Sequence, residues 1–159
     1  MKTTYQDVRK NIRTWDIFAT SWPALFSRII RLFTKSRISH VWIFLKLGTR
    51  LFCVEMLEGK GCRMTLASTR LEGKDFWVGR LNRKPTSEEI IDHALKDIGR
   101  LEYSLVGALL SPFIVTPSSK EICSEWVAKI LAMNFPALTR WILPVDVINK
   151  CDTIIVVTT

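Results

Sequence analysis

The stretch EICSEWVAKILA, residues 121–132, sets Cys123 near the start of an amphipathic helix. Cysteine chemistry requires the thiolate and usually a histidine partner. The chain has four cysteines and two histidines, so the candidate pairs are few. His93 lies away from the Ile90, Ile91 and Ala94 face of its helix, between Glu89 and Asp97 at four residues either way, which reads as a solvated side. His40 opens a strand of bulky apolar residues directly after Ser39, and strand ends are where a sheet presents side chains to a cleft. Glu55 interrupts the otherwise apolar LFCVEML. An unpaired buried carboxylate is costly, and a hairpin of 39–47 with 50–57 brings this one toward His40. Beside an imidazole it would fix the tautomer and stabilise the imidazolium.

Ser118 and Glu121 have the S-x-x-E spacing of a capping box, which predicts Cys123 about one turn into the helix. The helix dipole there favours an anion. Cys123 shares a face with Trp126, Val127 and Ile130 and is expected to point at a sheet, a pattern that a core cysteine would also satisfy. Cys53, Cys62 and Cys151 fall in or beside strands and have no helix-start setting. No two cysteines have metal-ligand spacing, and with two histidines a zinc site is not expected. A cytosolic chain argues against disulfides.

The elements that must hold these residues are legible from the pattern. WDIFATSW (15–22), SHVWIFLKL (39–47), RLFCVEML (50–57) and DFWVGRL (75–81) read as strands, LGT as a short hairpin connection, and EGKG (58–61) as a turn leading to CRMTLAS. Such a meander predicts an antiparallel sheet. Ser21 and Pro23 open a helix over 21–36 with Leu25, Phe26, Ile29, Ile30, Leu32 and Phe33 on one face and Arg28, Arg31 and Lys35 on the other. That helix suits either the chain's own core or the surface of an anionic membrane. A capping box from Thr86 to Glu89 starts a helix that Gly99 ends, a further helix is expected within 103–114, and the Cys123 helix follows. LPVDVI reads as a turn or short segment, and DTIIVVTT as a last strand able to return to the sheet. Strands followed by helices indicate the α+β class.

The 159 residues are expected to form a single domain, 1–159, with a substantial core. With 48% hydrophobic and 24% charged residues the composition excludes a disordered chain. The net charge of +8 favours anionic partners, but the basic residues are scattered and no nucleic-acid motif is present, so no specific nucleic-acid partner is expected. The N-terminus lacks the apolar core of a signal peptide, and the longest uncharged run, 103–119, is too short and too proline-rich to span a bilayer. A cytoplasmic protein is the resulting expectation, with a bacterial or phage origin compatible.

Together WDIF (15–18), RISHVWIFL (37–45), CVEML (53–57) and CSEWV (123–127) resemble, in order, the motifs of permuted papain-like cysteine hydrolases, the YiiX-like branch of the NlpC-type superfamily, to which lecithin:retinol acyltransferases are distantly similar. The resemblance spans roughly residues 11 to 150. It implies a circularly permuted papain-like fold, an antiparallel sheet packed against helices with the nucleophile at a helix N-terminus. It implies Cys123 as nucleophile, His40 as base, Glu55 as third member, and no cofactor. The implied activity is hydrolysis or acyl transfer through a thioester, on a peptide or isopeptide amide or a lipid ester; a binding module on the same fold is the alternative. Trp15, Asp16, Trp42, Tyr103 and Ser124 are expected to line the cleft. Trp15 and Trp42 stand where the family has glycine and Met56 where it has a small residue, departures that crowd or reshape that cleft.

Overall fold

Apolar runs without polar alternation suit strands that are covered on both faces. IFAT and HVWIFL are such runs, and in the computed structural model they lie inside a six-stranded antiparallel sheet. The structure describes residues 3–21, 28, 31–32, 35–57, 59–82, 92, 94–103, 120–131 and 142–158. Within these, α1 (Tyr5–Arg9) precedes β1 (Ile17–Thr20), β2 (His40–Leu47), β3 (Arg50–Leu57) and β4 (Gly61–Leu66). Then come α2 (Ala67–Leu71), β5 (Phe76–Arg80), β6 (Glu102–Tyr103), β7 (Lys120–Glu121), α3 (Cys123–Ile130), α4 (Pro144–Asn149) and β8 (Thr153–Val157). The sheet order is β4-β3-β2-β1-β5-β8, so the last strand does return, to the edge beside β5.

Side-chain alternation sorts the sheet into two apolar layers. Ile17, Ala19, Val41, Ile43, Val54 and Met56 face Trp126, Val127 and Ile130 of α3 and Val147 and Ile148 of α4. Phe18, Trp42, Phe44, Cys53, Phe76 and Val78 face Tyr5 and Val8 of α1 and Ala67 and Leu71 of α2. Burying a large apolar side chain such as Phe44 stabilises by about 1.5–3 kcal/mol. Polar contacts tie the helices down: Trp126 Nε1 donates to Asp97 Oδ2 at 2.8 Å, and Ser124 Oγ donates to the Ile142 carbonyl.

The register fixes one end of the sheet. Thr20 pairs with both His40 and Phe76, and the Ser39 N–H donates to the Thr20 carbonyl at 3.0 Å. A small parallel pair sits nearby in sequence to α3: Glu102 opposes Lys120 and Tyr103 opposes Glu121. It is anchored on β4, where the Cys62 N–H donates to the Leu101 carbonyl at 3.0 Å. Gly61 has φ +64 there, and a Cβ on it would run into the same carbonyl.

Several expectations change. Cys123 is the first residue of α3, not one turn inside it. Glu121 belongs to β7, and the carboxylate that reaches back to the helix start is Glu125, accepting from the Ile122 N–H at 3.4 Å; Ser118 lies outside the described residues. LPVDVI forms α4, since Pro144 suits a first helical position and Asp146 accepts from the Leu143 N–H at 3.0 Å. CRMTLAS divides between β4 and α2. The N-terminal α1 was not anticipated; Thr4 donates to Asp7 Oδ2 through both N and Oγ1, and Tyr5 and Val8 bury one face. Tyr103 is in a strand, and the rest of the helix expected within 103–114 lies outside the described residues. Of the 21–36 helix only Arg28, Arg31 and Leu32 among the helical positions are described. Asp92 and residues 94–97 are helical as expected and Gly99, φ +73, ends that segment, while Thr86, Glu89 and His93 lie outside the description. No helix among the described residues is long and apolar enough to cross a membrane.

Gly79 in β5 is a close approach between the sheet and the α4–β8 junction. A Cβ there would collide with Cys151 Sγ and come within 3.2 Å of Ile148 Cδ1. Gly79→Ala is expected to destabilise the fold by about 1–3 kcal/mol in urea unfolding. Adding Cys151→Ala should recover part of that loss; an unchanged double variant would show that the sulfur is not the obstacle.

Candidate active site

His40 is where it is because β2 begins there, opposite the last residue of β1. Its ring meets Trp42, two residues on and on the same side of the strand, edge-on at a centroid distance of 4.8 Å. Trp42 in turn stacks on Phe18 at 4.1 Å. Cys123 comes from the other layer, where α3 packs on β2. The two side chains meet at the start of β2, near enough for each to shift the other's charge state, with the backbone of Val41 and Ser124 adjoining the sulfur. A sulfur at the first position of a helix also gains from the dipole.

Glu55 reaches the same place from β3. Its Oε2 lies 3.9 Å from His40 Nε2. The carboxylate has no exposure to water. It is held by two arginines: Arg63 Nε and Nη2 each donate to Oε1 at 3.1 Å, and Arg70 Nη2 donates to Oε2 at 2.8 Å. Arg63 sits directly across from Glu55 on β4, and Arg70 comes from α2 and lies over the Trp42 ring at 5.5 Å. Neither arginine was found from sequence. Arg63 could have been, by counting back from the EGKG turn; Arg70 depends on how α2 folds over the sheet.

The electrostatics follow from these contacts. Burial works against charge on His40, but the Cys123 thiolate, by charge and by hydrogen bond, and then Glu55 overcome it and push the imidazole up to about 9. Burial likewise raises the Cys123 thiol, yet the His40 charge and hydrogen bond and the Val41 and Ser124 N–H groups hold it below its ordinary value. Burial raises Glu55 too, and His40 and Arg70 outweigh it, so the carboxyl stays below the usual range. Cys53 and Cys151 behave differently. Burial pushes Cys53 far up, and pushes Cys151 up to about 12.

The five expected cleft residues fare unequally. Trp42 is 1% exposed and buttresses His40 and Arg70 from behind rather than lining open space. Ser124 is buried beside the sulfur, with its hydroxyl spent on Ile142. Trp15 and Asp16 lie beside Phe44, four residues along β2 from His40, or about 13 Å of strand. Asp16 is buried in an ion pair with Arg80 there, so neither residue belongs to the Cys123 site. Trp15 has φ +79, the left-handed conformation that a glycine adopts without penalty, and its ring is buried in the α3 layer. Tyr103 is placed only as a strand residue of β6.

No family model and no curated protein matches the sequence. Among solved structures the fold is similar to that of the "metalloprotein yiiX" from Escherichia coli O157:H7, with a TM-score of 0.68 and 15% identity over 93% of this chain and 97% of that one. The chain therefore shares a YiiX-like fold.

Two outcomes are expected. Alkylation of Cys123 should show a pH midpoint below the ordinary thiol value of 9.0, and His40→Asn should move that midpoint upward, since burial is then opposed by the Val41 and Ser124 backbone alone. A midpoint unchanged by His40→Asn would break the proposed coupling. For stability, His40 contributes fully below its unfolded value of 6.5 and loses that contribution as pH rises through about 9. Glu55 has the opposite sign: its contribution is present above 4.5 and is lost as pH falls through its lowered folded value. Glu55→Gln should therefore flatten the acid limb of a stability–pH curve and cost about 3–5 kcal/mol at neutral pH, because the largely buried Arg70 and the part-exposed Arg63 lose their counter-charge.

Proposed function

We propose that this chain is a cysteine-dependent hydrolase or acyl transferase of the circularly permuted papain-like type, acting on an amide bond. The observation that carries the reading is the buried Cys123–His40 pair at the start of α3, with the thiol held low and the imidazole held high. That pairing is the activated-nucleophile arrangement of cysteine catalysis. The YiiX-like fold is compatible with the permuted type.

In this reading the Cys123 thiolate attacks the acyl carbon, a C–S bond forms, and the carbonyl electron pair moves to oxygen. The Cys123 N–H, which lies in the first turn of α3 and has no acceptor within the helix, stabilises that oxyanion. The His40 imidazolium gives its proton to the leaving nitrogen as the C–N bond breaks, leaving a thioester. Neutral His40 then takes a proton from water or another acceptor, which attacks the thioester and frees the thiolate. Glu55 keeps the ring oriented through these steps. The arginines on Glu55 draw part of its charge away from His40, so the Cys123 thiolate is the main partner of the imidazolium.

The solved neighbour is called a metalloprotein. Among the described residues here no three His, Cys, Asp or Glu side chains are arranged to hold a metal ion, and both Glu55 oxygens are occupied by guanidinium groups.

A second reading, a binding module on this fold, is favoured by the 3% and 6% exposure of Cys123 and His40. Reactivity separates the two. An enzyme should label stoichiometrically at Cys123 with an electrophilic peptide amide mimic, and should react with iodoacetamide faster than a free thiol at neutral pH. Cys123→Ala should abolish labelling and any amide turnover while keeping the parent's circular-dichroism spectrum. Labelling no faster than a free thiol would favour the module; turnover retained in Cys123→Ala would refute the nucleophile.

A further inference from the structure

A second concave site lies at the far end of the sheet from Cys123. Lys10, Asn11, Ile12, Arg13, Thr14, Lys46 and Arg80 line a cavity of about 490 Å³ between the segment after α1, the end of β2 and the end of β5. Its walls are fixed by internal bonds rather than by ligand. Thr14 Oγ1 accepts from the Lys46 N–H at 2.9 Å, and Asp16 Oδ2 accepts from the Arg13 N–H at 2.8 Å. Arg80 is the most constrained member. Its Nε and Nη2 both donate to the Asp16 carboxylate, at 2.8 and 2.6 Å, and Nη2 also donates to the Asn11 carbonyl at 2.8 Å. That clamp leaves the Nη1 edge of a pre-oriented guanidinium with no partner among the described residues.

The charge is unbalanced. None of the lining side chains is a carboxylate, and Asp16, just behind them, is absorbed by Arg80. Lys10, Arg13 and Lys46 are exposed and meet no carboxylate among the described residues. Four cations against one buried anion leave about three positive charges around a cavity of small-molecule size. A single carboxylate ligand would leave most of that charge uncompensated. No aromatic side chain lines the cavity, so the stacking platform that single-stranded nucleic acid uses is missing.

We propose that this groove binds a compact ligand carrying two adjacent phosphate-type groups, with Arg80 and Arg13 as fork-shaped donors and Lys10 and Lys46 as flanking charges. The ligand's source is either a free diphosphate-bearing metabolite or a bisphosphorylated lipid headgroup. The site is independent of the Cys123 chemistry: it is built from other residues and would persist if that chemistry were refuted.

Calorimetric titration of the full chain with inorganic pyrophosphate at low salt, and co-sedimentation with phosphatidylcholine vesicles with and without phosphatidylinositol bisphosphate, test it. Saturable pyrophosphate binding that weakens about tenfold or more in Lys10→Gln/Arg13→Gln/Lys46→Gln supports a free ligand. Binding to the bisphosphate vesicles alone, lost in the same variant, supports the headgroup. These three side chains are exposed, so the variant's unfolding midpoint should match the parent; should it not, Lys46→Glu alone serves the same comparison. No saturable binding in either arm, equal binding by the variant, or equal displacement by sulfate at matched ionic strength would overturn the proposal.

Discussion

A carboxylate without access to water is the constraint around which this molecule is arranged. Glu55 sits on β3 with no exposure, and an ionised carboxylate in that position is tolerated only with full compensation. Three cationic or protonatable groups converge on it from three elements: His40 from β2, Arg63 from β4 and Arg70 from α2. The hairpin registers set the first two and the packing of α2 sets the third. Trp42 fills the space between, touching His40 on one side and Arg70 on the other. The bulky residue that stands where the resembled family has glycine is thus part of the charge cluster's support.

The sulfur arrives from the opposite layer. Alternation puts His40, Trp42 and Glu55 toward α2 and puts Val41 and Met56 toward α3. At the first residue of β2 a side chain of one layer meets a side chain of the other. The same junction supplies the Val41 N–H to the sulfur. Position at a strand end and position at a helix start are therefore one geometric fact seen from two elements.

Much of this was written into local sequence. The β2–β3 hairpin, the mid-strand Glu55 and the histidine at the head of a strand are short-range patterns, and they placed His40 and Glu55 within 3.9 Å of each other. Helix starts were read less well. S-x-x-E at 118–121 competed with x-x-E at 122–125, and the strand pairing of Lys120 and Glu121 with β6 decided the matter, a non-local contact with no local signature. Asp16 and Trp15 were assigned to the cleft by motif order alone. Their strand runs away from His40, so proximity in the motif did not become proximity in space. Arg70 and the α1 layer depend on tertiary packing and carried no periodicity long enough to read.

The parallel pairing of β6 with β7 has a mechanical consequence. Glu121, opposite Tyr103, stands two residues before Cys123, and β6 is itself bolted to β4 through Leu101. A slip of one residue in that short ladder would carry the start of α3, and the sulfur with it, about 3.3 Å along the strand direction. The pairing thus acts as a stop that keeps the reactive atom at its address.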